Sequence, residues 1–156
     1  MNINEKDEEG WYPFNYVVSN NNTEMAQLII NYANENNILL NINDKNEEGW
    51  YPLLIATKND NTEMTQLIIN YAKENNIILN INDKNKSGNF PILFAVQNDN
   101  IELTQLIIDY ANEHNIILKI NDKDENEFYP FLFATINNNT EMIKLITYYS
   151  YISGIK

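Results

Sequence analysis

The chain has no cysteine and no arginine, a single histidine, and only four prolines and four glycines in 156 residues. Without cysteine there is no disulfide, no thiol nucleophile and no thiolate metal site, and the redox state of the compartment leaves no trace. Without arginine the chain lacks the side chain best shaped to grip phosphate with two parallel hydrogen bonds. Its ten basic residues are all lysines, set against 22 acids, for a formal net charge of −12. Such a charge repels nucleic-acid backbones and anionic lipid, so neither nucleic acid nor membrane is an expected partner. No apolar run approaches the ~18 residues of a membrane span. Residues Met1 to Glu5 have neither the basic nor the apolar part of a signal peptide, and an intracellular, cytoplasmic location is expected.

Chemistry is also missing. There is no glycine-rich phosphate loop, nucleophile elbow or metal motif. The one histidine, His114, stands where two other segments have Asn36 and Asn75, with no partner spaced for catalysis or metal binding. The segment Asp44–Gly49 partly matches a calcium loop, but the twelfth position, which should be a bidentate glutamate, is Ile55. The corresponding positions after Asp83 and Asp122 are Phe94 and Phe133. No enzymatic activity, cofactor or metal is expected.

What is abundant is asparagine, 31 of the 156 residues, and it is placed with a period. The prolines Pro13, Pro52, Pro91 and Pro130 are spaced 39 residues apart. Asn2-Ile3-Asn4 returns as Asn41-Ile42-Asn43 and Asn80-Ile81-Asn82, and Thr23-Glu24-Met25 as Thr62-Glu63-Met64 and Thr140-Glu141-Met142. Four repeats fill the chain: 2–40, 41–79, 80–118 and 119–156. A fixed period of this length marks a repeat array in which each unit buries a face against the next. The asparagines fall between apolar stretches, where turns and helix caps belong, rather than in a disordered tract.

The order of elements shows best in the second repeat. Asn43–Gly49 is a polar turn, its glycine suited to a positive φ. Pro52 opens a short helix, since proline is tolerated at the first helical position. Asp60, three residues before Glu63, resembles a capping box, and the same pattern stands at Asn21, Asp99 and Asn138. Met64, Leu67, Ile68 and Tyr71 then form one apolar face of a longer helix, which Asn75-Asn76 ends.

This unit resembles the ankyrin repeat, whose pattern runs D-x-x-G-x-T-P-L-H-x-A-A before a second helix. The first repeat reads Asp7-Glu8-Glu9-Gly10-Trp11-Tyr12-Pro13-Phe14 and the second Asn46-Glu47-Glu48-Gly49-Trp50-Tyr51-Pro52-Leu53-Leu54-Ile55-Ala56. The threonine of the pattern is replaced by Tyr12, Tyr51, Phe90 and Tyr129, and its histidine by Asn15, Leu54, Leu93 and Leu132, so apolar packing should stand in for the usual Thr–His hydrogen bonding. Glu127 occupies the glycine position of the fourth turn, which should therefore differ. The period exceeds the family's ~33 residues, and the excess falls in the second helix and its return segment. The resemblance implies an all-α repeat solenoid of helix-turn-helix units with protruding turn fingers, forming one domain over 1–156 that stands as a monomer or as part of a longer array. A HEAT-like α-solenoid is the alternative, but it needs longer first helices. Asn15, at a leucine position, and Ser19 suggest a solvent-facing first unit. Tyr148–Ile152 break the pattern of the last helix, and Gly154 should stop it.

What the resemblance implies about function is protein or peptide binding along the finger and short-helix face, through positions that vary between repeats. These are Glu8, Glu47, Lys86 and Glu125; Glu9, Glu48, Ser87 and Asn126; Trp11, Trp50, Asn89 and Phe128; and, ending the short helices, Ser19, Lys58, Gln97 and Ile136. Both tryptophans fall directly after the finger glycine, beside paired glutamates, which suits a partner bearing lysine or arginine. The tryptophans could equally pack on adjacent fingers and stiffen the stack. Repeat charges of −5, −3, −3 and −1 place the strongest attraction in the first half. A structural spacer or assembly role, and more weakly an acidic mimic of nucleic acid, are the alternatives.

Overall fold

The computed structural model describes residues 2–155. Eight α-helices follow in order: α1 (Pro13–Ser19), α2 (Thr23–Glu35), α3 (Pro52–Lys58), α4 (Thr62–Glu74), α5 (Pro91–Gln97), α6 (Ile101–Glu113), α7 (Pro130–Ile136) and α8 (Thr140–Ile152). No strand occurs among the described residues. Helices of seven and thirteen residues alternate. First helices of only seven residues match the ankyrin-like arrangement rather than the HEAT-like one.

Local rules explain each boundary. The four prolines take the first turn of α1, α3, α5 and α7, and the residue before each is extended, as proline demands of its predecessor. Each short helix runs into a residue of positive φ, Asn21, Asp60, Asp99 or Asn138. Asparagine and aspartate tolerate that left-handed conformation better than other non-glycine residues. The cap of the long helix is therefore one residue later than the capping-box pattern suggests. Asn22, Asn61, Asn100 and Asn139 accept the backbone N–H of the third residue on, while Asp60 and its equivalents make the turn. Each such cap contributes about 1 kcal/mol. The long helices end in a second left-handed residue, Asn37, Asn76, Asn115 or Gly154. This confirms Gly154 as the stop after α8.

The chain divides into two compact halves, one ending at Asn80 and one beginning at Ile81, each with two repeats. In the first half α1 packs on α3 and α2 on α4; in the second α5 packs on α7 and α6 on α8. Leu53, Leu54, Met64 and Ile68 are buried in the first core, and Ile92, Leu93, Leu103 and Ile107 in the second. Such side chains contribute roughly 1.5–3 kcal/mol each.

A hydrogen-bond ladder of asparagines joins repeats within each half. Asn4 Nδ2 donates to the Leu39 carbonyl at 2.7 Å, Asn43 to Ile78 at 2.8 Å and Asn82 to Ile117 at 2.8 Å. Their Oδ1 atoms accept from the N–H groups of Asn41, Asn80 and Lys119. The Asn59 and Asn137 side chains donate to the ends of the preceding short helices, at Val18 and Val96. Tyr71 and Tyr149 hydroxyls accept the buried N–H groups of Leu40 and Leu118, both at 2.9 Å. The asparagine excess thus serves stacking as well as turns.

One expectation is overturned. Asn15 is fully buried, and neither atom of its carboxamide has a hydrogen-bond partner. It occupies the same interior position as Leu54 and Leu93 and does not face solvent. Helix register, which directs that position inward in the first three repeats, outweighs the polarity of the side chain.

Candidate functional site

Each finger is an Asx turn closed on itself. Asp7 Oδ1 accepts from the N–H groups of Glu9 and Trp11, both at 2.9 Å, and the Asp7 N–H donates to the Trp11 carbonyl. Asn46 repeats this with Glu48 and Trp50, and Asp124 with Asn126 and Phe128. Asn85 accepts from Asn89 in the third finger. The fourth turn does not differ: Glu127 takes a φ of 66° and donates its N–H to the Asp124 carbonyl as the glycines do. Its exposed side chain accepts from Lys123 at 2.5 Å, and this carboxylate raises the lysine's pKa.

Glycine has a second role where fingers stack. A Cβ on Gly10 would lie 3.1 Å from the Asn46 Cα, and one on Gly88 would lie 2.9 Å from the Asp124 Cα. That approach lets the Glu47 N–H reach the Glu9 carbonyl at 3.1 Å, and the Glu125 N–H reach Ser87 at 3.0 Å. Fingers one and two are therefore fixed to each other, as are fingers three and four.

The first half brings together Glu8, Glu9, Trp11, Glu47, Glu48, Trp50 and Lys58. All four glutamates and Lys58 are exposed, and both tryptophans are half-buried. Each tryptophan contacts the short helix of its own repeat. Trp11 stacks on Tyr16 with ring centroids 5.4 Å apart, and Lys58 Nζ lies 4.7 Å from the centre of the Trp50 ring. Lys58 therefore supports a tryptophan as well as facing solvent; an exposed cation–π contact contributes about 0.5–1 kcal/mol. The second half holds the equivalents in weaker form. Asn89 is half-buried, Phe128 stacks on Phe133 at 4.9 Å, and Gln97 and Ile136 are exposed.

Composition of the finger alone did not show three neighbours of the site: Tyr16, Asp7 and Lys6. With Glu5, Trp11 and Pro13 they line an open hollow of about 310 Å³. The Tyr16 hydroxyl donates to Asp7 Oδ2 at 2.5 Å. That bond, then the Trp11 N–H, lowers the Asp7 pKa, and the same bond raises that of Tyr16. The sequence signal for this pairing is the five-residue offset between finger aromatic and helix aromatic, repeated in Phe128 and Phe133.

The aromatic residues that replace threonine before each proline also have structural work. The Tyr51 hydroxyl donates to the Asn80 carbonyl at 2.8 Å. Lys6, Lys45 and Lys84 lie 5.0–5.8 Å from the ring centres of Tyr12, Tyr51 and Phe90. Burial, together with the Asp44 carboxylate, pushes the Tyr12 hydroxyl's pKa well up. Asp44, the first residue of the calcium-like segment, pairs with Lys6 at 3.5 Å. His114 caps α6, its Nδ1 lying 2.9 Å from the Tyr110 carbonyl and its ring stacked on Tyr110 at 4.1 Å. Among the described residues no cluster of three or more histidine, aspartate or glutamate side chains could hold a metal ion, and no helix is long and apolar enough to cross a membrane.

A family model described as ankyrin repeats (3 copies) matches residues 1–78 and again 37–117. Residues 118–156 lie outside both matches, yet they carry the same turn, proline-started helix and long helix. Comparison with curated proteins finds no match.

Proposed function

The chain belongs to the ankyrin repeat family, and from that premise we propose that its first two fingers bind a basic segment of a partner protein. Members of the family are generally protein-interaction modules and are typically not catalysts. The observation that carries the finer reading is the pair of half-buried tryptophans on two hydrogen-bonded fingers, set among four exposed glutamates. Each ring is held by its own short helix, so little side-chain freedom is left to lose on binding. The indole faces offer area, and the glutamates offer Coulomb attraction and steering to lysine or arginine. Glu8, Glu9, Glu47 and Glu48 would meet the cations, Trp11 and Trp50 the aliphatic stems and apolar residues between them. In the second half Asn89, Phe128, Gln97 and Ile136 offer a less acidic surface of the same kind, suited to less basic segments.

A displayed library of random peptides, selected on the immobilised chain, tests this. Selected peptides should be rich in lysine or arginine interleaved with apolar residues, and their affinity should fall as salt rises. The Trp11→Ala/Trp50→Ala variant should lose about tenfold or more in affinity. Selected peptides without basic residues, or equal binding by the variant, would remove this reading.

A further inference from the structure

The last helix departs from its three siblings at positions that repeat stacking does not use. Tyr148 stands where the other long helices have Asn31, Asn70 and Asp109. Tyr151 replaces Asn34, Lys73 and Asn112, and Ile152 replaces Glu35, Glu74 and Glu113. All nine sibling residues are exposed and polar. Tyr148, Tyr151 and Ile152 are just as open, at 64%, 83% and 49% exposure. At spacings of three and four residues they share one face of α8.

Two uncharged hollows flank this face within the second half, the larger of them mainly apolar. One, of about 250 Å³, lies toward the end of α6 and includes Ile117 and Ile152. The other, of about 390 Å³, lies toward α7 and includes Phe131, Thr147 and Tyr151. No charged side chain lines either one. Between Met142 and Ile155 the sole charge is Lys144, in a chain of net −12.

From this we infer that the α8 face is a self-association surface, on which a second copy of this chain packs α8 against α8. Charge selects that occupant. Two copies of net −12 repel over most of their surfaces, and the acid-free stretch of α8 lets them approach without facing carboxylates. A basic partner would instead find its complement at the glutamate-rich fingers. Tyrosine also suits a twofold contact, since a phenol both donates and accepts and can pair with its own symmetry mate. A further repeat stacked in register fits less well. Its finger would meet the Glu127 side chain where Gly10 and Gly88 admit their neighbours, and Thr147 replaces the buried Ile30, Ile69 and Ile108.

Tyr148, Tyr151, Ile152, Phe131 and Ile117 together expose about 600 Å² per copy, taking a large side chain at roughly 200 Å². A standard interface buries about 800 Å² per partner, so the pairing should be reversible and concentration-dependent.

Sedimentation equilibrium over micromolar to submillimolar concentrations reads it directly. The weight-average mass should rise from 18.3 kDa toward twice that value. It should rise at lower concentration in about 0.5 M salt, which screens the mutual repulsion. The Tyr148→Asn/Tyr151→Asn/Ile152→Glu variant, carrying the first repeat's own residues, should stay monomeric with an unchanged helical signal. Because the chain lacks cysteine, Ile152→Cys supplies a second measurement. It should form a disulfide-linked dimer under mild oxidation far faster than Leu28→Cys, an exposed control on α2. A wild type that stays monomeric throughout, a triple variant that associates as well, or equal crosslinking of the two cysteine variants would each overturn the inference.

Discussion

The half ending at Asn80 holds twelve acids against four lysines, net −8, and both tryptophans; the half beginning at Ile81 holds ten against six, net −4, and exposes the tyrosines of α8. The shared frame is nearly identical: the same proline starts, left-handed asparagines, capping side chains and Asn ladder recur in both. Their exposed chemistry is not. A repeat whose backbone groups are satisfied by fixed Asn, Tyr and Asx positions leaves its finger tips and outer helix faces free to vary. One half has used that freedom for charge and indole, the other for an uncharged aromatic face.

The largest expected effect concerns an interior position at which the halves differ in polarity. Asn15 and Leu93 are both fully buried, but only Asn15 brings an unpartnered carboxamide inside. Leu93→Asn, which copies the defect into the second half, should destabilise the protein by about 4 kcal/mol through lost apolar burial and a desolvated amide. The reverse change, Asn15→Leu, should stabilise it by about 2 kcal/mol, because replacing an unsatisfied buried polar group with an apolar one of similar size removes its desolvation cost. Urea unfolding midpoints measure both. If Asn15→Leu were neutral or destabilising, the carboxamide would have to be satisfied in solution, and this contrast between the halves would fall.

Where the halves agree, matched substitutions should cost the same. Tyr71→Phe and Tyr149→Phe each remove the acceptor of a buried backbone N–H, at Leu40 and Leu118. Each should lose about 1–2 kcal/mol, with the two values within experimental error of each other. A clear inequality would show that the ladder bears unequal load in the two halves. A smaller effect is expected at the fourth finger. Glu127→Gly relieves a left-handed non-glycine residue and should stabilise by about 1 kcal/mol, less whatever the exposed Lys123 pair contributes.

Much of this frame was legible because its determinants are local. Proline spacing gave the period and the helix starts, and the glycine–aromatic–proline run located the fingers. The cap register slipped by one residue because Asp60 and Asn61 are both good caps, and only the positive φ at Asp60 separates their roles. The ladder was present as a recurring Asn4, Asn43 and Asn82, but its partners lie 35 and 37 residues away, beyond any local pattern. Burial of Asn15 is a tertiary outcome, in which helix register overrides polarity. At the site the exposed glutamates were readable. What supports the tryptophans was not, since the contacts with Tyr16 and Lys58 depend on each finger folding back over its own short helix.

The smallest predicted effect separates single fingers. Fingers one and four use aspartate to close the Asx turn, fingers two and three use asparagine, and only Asp7 also accepts from a tyrosine hydroxyl. Its pKa is lowered by that bond and by the Trp11 N–H. A depressed carboxyl contributes stability that is fully present above its unfolded-state value and is lost as pH falls through the lower folded one. Acidification below the ordinary carboxylate range should therefore release Tyr16 and Trp11 together, while Trp50, whose turn is closed by Asn46, has no titrating group in that role. In a Trp50→Phe background the fluorescence of Trp11 should shift at low pH before global unfolding, and Asp7→Asn should abolish that early step. In a Trp11→Phe background Trp50 should report global unfolding alone. An early step in the Trp50 signal, or its survival in Asp7→Asn, would locate the titrating group outside the first finger's Asx turn and erase the distinction between the two tryptophans.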